Sequence, residues 1–148
     1  MTKEKLYNKI MTLIDERIAS AQLAIASAKE SRDSETKSSV GDKYETGRTL
    51  MQQEVEKNRI QLHKAEKIKT ELENIDLRKK FNKVEFGSLV SDGKIMYFIS
   101  TALGKIDVDG KSCFCISLAS PIGKALHNKC VGDKISFMGK IIEIVEIV

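Results

Sequence analysis

Two carboxylates three residues apart, Asp42 and Glu45, are the pair in this chain best spaced to act together. Residues at i and i+3 share one face of a helical turn, so both groups can be aimed at one point. Two uses suit that geometry. Asp-x-x-Glu at a helix start is a capping box, in which Asp42 accepts from the backbone N–H of Glu45 and Glu45 reaches back. The negative charges also suit the positive end of a helix. Alternatively, the pair contributes oxygens to a divalent cation. Two carboxylates alone make a poor Mg2+ site, because the ion takes six oxygens and keeps several waters. Arg32, Lys37, Lys43 and Arg48 surround the acids and could face RNA or phosphate, or only solvent. Tyr44 could stack on a base or pack within a turn.

Other reactive side chains offer less. Cys113-x-Cys115 sits among Phe114, Ile116 and Leu118 with no His or second Cys pair nearby, which suits reduced, partly buried thiols better than zinc. His63 is isolated on a helical stretch and His127 has no triad partner, so no catalytic residue of the chain's own is expected.

The elements that must hold these residues change character near residue 80. Before it there are only two glycines, Gly41 and Gly47, and no proline; seven of the nine glycines and the single proline come after. Two modules are implied: 1–77, and 78–148 after a junction at Asp76–Asn82. In the first, Leu6, Ile10, Leu13 (with Ile14), Ile18, Ala21, Ile25 and Ala28 recur at three- and four-residue steps, behind Thr2 as a candidate N-cap. A second stripe runs through Met51, Val55, Asn58, Leu62, Ala65, Ile68, Leu72 and Ile75. The polar stretch from Ser31 interrupts the pattern, and the tip is placed at about 31–45. Each stripe needs a partner, so two helices of about 30 residues are expected to fold back on each other as an antiparallel coiled-coil finger, about 45 Å long.

The second module has strand alternation at Val84, Phe86, Ser88 and Val90 and a turn at Asp92-Gly93 into Ile95–Ile99. Asp109-Gly110 turns Ile106–Val108 into Cys113–Leu118. Ser120-Pro121 opens a short helix to about Asn128, and Ile135–Phe137 and Ile141–Val148 follow as strands. The fold class expected is α+β: the helical hairpin, then an antiparallel β domain with one short helix.

Charge excludes little. The chain of 148 residues carries 25 basic and 21 acidic side chains, with 17 against 14 in residues 1–80 and 8 against 7 beyond. That mild bias is no nucleic-acid footprint. The N-terminus has no apolar h-region and no stretch approaches the roughly 20 apolar residues that span a bilayer, so a cytoplasmic protein is expected.

The run Ser120-Pro121-Ile122-Gly123-Lys124-Ala125-Leu126-His127-Asn128-Lys129, followed by Val131-Gly132-Asp133, resembles the C-terminal signature of the Gre family of bacterial transcript-cleavage factors. Val84-x-Phe86-Gly87-Ser88 resembles the family's first strand, and Gly41-Asp42-Lys43-Tyr44-Glu45 its Gly-Asp-x-x-Glu tip. The tip departs from the family where an Asn-Ala-Glu-Tyr run usually follows; here it is Thr46-Gly47-Arg48-Thr49. The resemblance implies an FKBP-like β domain that docks on RNA polymerase through Ser120, Pro121, Ile122 and Lys124. The finger would enter the secondary channel, with Asp42 and Glu45 helping to hold Mg2+ shared with the polymerase active site. Lys43, Tyr44 and Arg48 would contact RNA or phosphate near the nascent 3′ end, and DNA would be met only indirectly. On this view the chain is a monomeric accessory factor, not an enzyme, and binds no stable cofactor. Two carboxylates suffice if the polymerase supplies the other ligands, and a pair of ions could activate water for phosphodiester cleavage. The alternatives are a channel-occupying regulator that supports no cleavage, a coiled-coil assembly protein, and a peptidyl-prolyl isomerase. The last would require an aromatic-lined apolar pocket, whereas the aromatic positions here suit core filling.

Overall fold

In the computed structural model the described residues are 2–38 and 42–148, with 35–38 and 42–44 described as backbone only. The chain is α+β, and it divides into two compact units. One is Thr12–Lys69; the other joins Met1–Met11 to Thr70–Val148. The units therefore differ from the 1–77 and 78–148 division, because the first turns of the N-terminal helix are counted with the β-rich part.

Helix α1 spans Lys3–Ser38 and α2 spans Asp42–Glu73. Thr2 caps α1 as expected, its Oγ1 accepting from Lys5 N–H at 3.2 Å. Within the helical unit the Lys69 ammonium meets Asp15 at 2.7 Å, and the Arg32 guanidinium donates to Gln52 Oε1 at 2.6 Å. Seventeen residues forward on α1 thus match seventeen backward on α2, so the helices run antiparallel. Ile14, Ala21 and Ala28 are buried on one stripe, and Val55 and Ala65 on the other. Surface ion pairs contribute at most about 1 kcal/mol each, so the apolar stripes hold the pair and the polar contacts set its register.

Helix α1 does not stop at Ser31. It continues to Ser38. The segment lacks apolar residues but also lacks Gly and Pro, the residues that most oppose helix. Ser34 Oγ donates to the Ser31 carbonyl at 3.1 Å, and Arg32 bonds Asp33 as well as Gln52. The polar run ends apolar packing, not the helix. Ser39, Val40 and Gly41 of the expected tip lie outside the described residues.

In the β-rich unit, β1 is Leu89–Ser91, β2 Met96–Ile99, β3 Gly104–Val108, β4 Lys111–Ile116, β5 Lys134–Phe137, β6 Lys140–Glu143 and β7 Glu146–Ile147. Five strands form one sheet in the order β3-β4-β2-β1-β7, and β5-β6 form a separate ribbon. The expectation of a purely antiparallel sheet is corrected here: β2 and β4 pair in parallel, Tyr97 beside Phe114 and Phe98 beside Cys115. After β2 the chain crosses to the edge as β3. Asp109 and Gly110, both at positive φ (52° and 76°), then return it as β4 between β3 and β2. The sheet is mixed, though mostly antiparallel.

Two further expected strands are reshaped. Val84 and Phe86 precede β1 in a turn that Ser88 closes, its Oγ donating to the Glu85 carbonyl at 2.6 Å. Ile141–Val148 is not one strand but β6 and β7, separated where Ile144 N–H bonds the Asp133 carbonyl and Val145 N–H bonds that of Ser91. Val90, Tyr97 and Ile99 on one sheet face pack into a core with Leu126, Ile135, Ile142 and Ile144. On the other face Phe98, Cys113 and Cys115 are fully buried. Three lysines on the first turns of α1 bond the sheet's margins: Lys3 to the Val148 carbonyl at 3.0 Å, Lys5 to Asp109 at 3.3 Å, and Lys9 to the Asp107 carbonyl.

Candidate functional site

Helix α3, Pro121–Leu126, is built from the residues that carry the family-like signature. Ser120 is its N-cap: Oγ accepts from Gly123 N–H at 3.1 Å and donates to the Ser117 carbonyl at 2.6 Å. Pro121 opens the helix, where a missing N–H costs nothing. Gly123 is required by contact rather than by φ, since a Cβ there would stand 2.0 Å from the Ser117 carbonyl oxygen. The far end is fixed by Asn128, at φ 65°, whose N–H bonds the Val84 carbonyl. Both polar functions of Ser120 are thus spent inside the turn. Pro121 and Lys124 are exposed, and Ile122 is half-buried. Of the four residues expected to dock a partner, three present surface and one holds the scaffold.

Ile122 opens onto a groove of about 540 Å³ that it shares with Tyr97, Phe114, Phe137 and Ile142. Its size is in the range of small-ligand and peptide sites. Tyr97 and Phe114, neighbours across the parallel β2–β4 pair, stack with ring centres 6.2 Å apart. Asp92 and Lys140 supply the charges of the lining. Asp92 Oδ1 accepts from the N–H groups of Lys94 (2.9 Å) and Ile95 (2.7 Å), which fixes its carboxylate in the β1–β2 turn. Burial first, and Asp92 second, push the Tyr97 phenol up from its usual pKa, so it stays a neutral hydroxyl.

This groove was missed in the sequence, where its aromatic residues were assigned to the core. The aromatic-lined pocket that an isomerase would need is therefore present as an open groove. One signal was available: Met138 and Ile141, in and beside the β5–β6 turn, are large apolar residues where turns ordinarily carry polar ones. They are 86% and 75% exposed.

The acidic pair is less fully described. Asp42 is the first residue of α2 and Glu45, exposed, is three residues on. The side chains of Asp42, Lys43 and Tyr44 lie outside the described residues; Arg48 is exposed on the next turn. Among the described residues no group of three or more His, Cys, Asp or Glu side chains could hold a metal ion. Cys113 and Cys115 are adjacent and buried as free thiols, and hydrogen bonding with Cys113 and then burial push the Cys115 thiol up, away from thiolate chemistry. His63 and His127 are exposed on different elements. Among the described residues no helix is long and apolar enough to cross a membrane. In comparisons with known proteins, no family model, no curated protein and no solved structure matches this chain.

Proposed function

We propose that this chain is an RNA-polymerase-binding transcription elongation factor of the Gre type. Its β-rich unit, FKBP-like on this reading, docks on bacterial RNA polymerase, and its antiparallel helices enter the secondary channel. The observation that carries the reading is α3. The signature-like residues form one self-consistent element in which Ser120 caps, Pro121 starts and Gly123 packs, with Pro121, Ile122 and Lys124 left at the surface. The element lies in the unit that follows two long antiparallel helices, the order that the resemblance implies. Asp42 and Glu45 would then add carboxylate oxygens to a Mg2+ ion already held by the polymerase, and the polymerase would perform the cleavage.

A second reading within the same class has its own support. Helix α2 begins at Asp42, so Asp42 is its first helical residue rather than the N-cap expected of a capping box. The acidic pair occupies the first turn, where the helix dipole accounts for both charges. On that reading the protein occupies the channel and modulates the polymerase without supporting cleavage.

Transcript cleavage by stalled elongation complexes, measured with and without the protein, separates the two. The double variant Asp42→Asn/Glu45→Gln nearly preserves shape and removes two charges from the first turn of α2, at a cost of no more than about 1 kcal/mol each. Its melting temperature is expected to fall only slightly and its polymerase affinity to match the parent's, with cleavage stimulation lost. Full stimulation by the variant would eliminate the metal role, and a parent without stimulation would establish the channel-occupying regulator. Docking is tested by Pro121→Asp/Lys124→Glu, which changes exposed residues and spares the Ser120 cap. Unchanged polymerase affinity in that variant would remove α3 from the contact.

A further inference from the structure

The groove beside α3 lies along strand β6, and among the described residues β6 has one strand neighbour, β5. The ribbon turns through Met138 and Gly139, both at positive φ, so Phe137 and Lys140 form the closing hydrogen-bonded pair. Ser136 and Ile141 form the next, non-hydrogen-bonded pair. It follows that the N–H and C=O of Ile141 point away from β5, toward a vacant edge. Lys134 pairs with Glu143, again non-hydrogen-bonded, which directs the Glu143 backbone the same way. Such an edge is a template for another strand.

The ribbon's faces add chemistry to that template. Lys140 is on the same face as Phe137, Ile135 and Ile142, because paired residues share a face. Its side chain thus stands on the apolar, groove-facing side of the ribbon. Among the described residues no carboxylate pairs with it. The other charge in the lining, Asp92, already accepts two backbone N–H groups. Asp92 keeps its charge but is held in the β1–β2 turn by those bonds. Lys140 is therefore the cation of the lining that lacks a carboxylate partner among the described residues, and its complement is an acid flanked by apolar side chains.

We propose that this groove binds an extended polypeptide segment, added as a strand to the free edge of β6. Alternate apolar side chains of the segment enter between Phe114 and Phe137, and an acidic side chain pairs with Lys140. Backbone pairing supplies affinity and the side-chain positions supply selectivity, the division of labour usual in strand addition. The proposal needs no polymerase, so it stands or falls apart from the function proposed above.

The probe is a capped, fluorescein-labelled peptide, Thr-Phe-Thr-Glu-Thr-Phe-Thr, whose symmetric pattern serves either strand direction. Fluorescence anisotropy with the full chain should show saturable binding, weakened about tenfold or more when the central Glu is Lys. Lys140→Glu, an exposed change checked for folding by circular dichroism, should reverse that preference. Two N-methylated probes, blocked on odd or on even residues, should differ sharply, because only one phase of amides faces the edge. Absence of saturable binding overturns the proposal. So does an acid preference that survives Lys140→Glu, or equal binding of the two methylated phases.

Discussion

The helical unit and the β-rich unit are stabilised in different ways. Between the helices the seam is thin: Ile14 and Val55 are fully buried, but Leu13, Ile18, Leu62 and Ile68 are only half-buried, and Leu23 and Ile60 face solvent. In the other unit the sheet is buried on both faces, with Phe98, Ile99, Cys113 and Val90 all inaccessible. A one-sided stripe tolerates polar neighbours and a long polar continuation such as Ser31–Ser38. A sheet covered on two sides tolerates few, and its turns must be exact in length. The first region can therefore vary its end without losing its fold, while the second depends on individual contacts.

The largest expected effect tests that dependence. Phe98→Ala removes the largest fully buried side chain and should cost about 3–5 kcal/mol in urea unfolding of the β-rich unit. Val55→Asp puts a charge into the helical seam and should cost several kcal/mol, about 3 or more. The half-buried Leu62→Asp should cost visibly less, because its carboxylate can turn toward water. Equal losses for Val55→Asp and Leu62→Asp, read from the helical circular dichroism signal, would show that the seam is broader than described.

Smaller effects belong to α3. Gly123→Ala forces the helix away from Ser117 and should cost about 1–3 kcal/mol. Ser120→Ala removes the cap and should cost about 1 kcal/mol. If Gly123→Ala melts like the parent, α3 is not pressed against the Ser117 carbonyl.

The smallest expected effect is a dependence on pH. Lys3 is buried, with its ammonium 4.5 Å from the centre of the Phe81 ring, and burial lowers its pKa to about 8 despite the opposing attraction of Asp76. The folded state then holds this proton less tightly than the unfolded chain, whose lysine titrates near 10.5. Its contribution to stability is smallest below pH 8, rises between about 8 and 10.5, and is complete above that. The melting temperature of the parent should gain on that of Lys3→Met across this window. Parallel curves would mean that Lys3 keeps an ordinary pKa.

Sequence pattern was informative where structure is local. The two stripes from Leu6 to Ala28 and from Met51 to Leu72 are buried or half-buried faces of α1 and α2, because a helix repeats every 3.6 residues whatever it packs against. Ile75, the last residue of the expected second stripe, is buried just past the end of α2. The Thr2 and Ser120 caps and the Asp92-Gly93 and Asp109-Gly110 turns were legible too, since each is settled by contacts within a few residues. Asp42 and Glu45 were legible as residues of a helix start, and only the helix bounds place Asp42 inside the first turn rather than at the cap.

What tertiary structure alone decided is which distant segments became neighbours. The parallel pairing of β2 with β4 depends on β3 occupying the sheet edge, a choice that no alternation in either strand records. The division of the last apolar run into β6 and β7 depends on bonds from Ile144 to Asp133 and from Val145 to Ser91, partners far away in the chain. Those two decisions create the groove. Tyr97 and Phe114 meet only because β2 lies beside β4, and Phe137 and Lys140 face the same space only because β5–β6 forms a ribbon of its own. A strand's sequence states that alternate residues will be buried; it does not state against what, and this groove consists of that missing information.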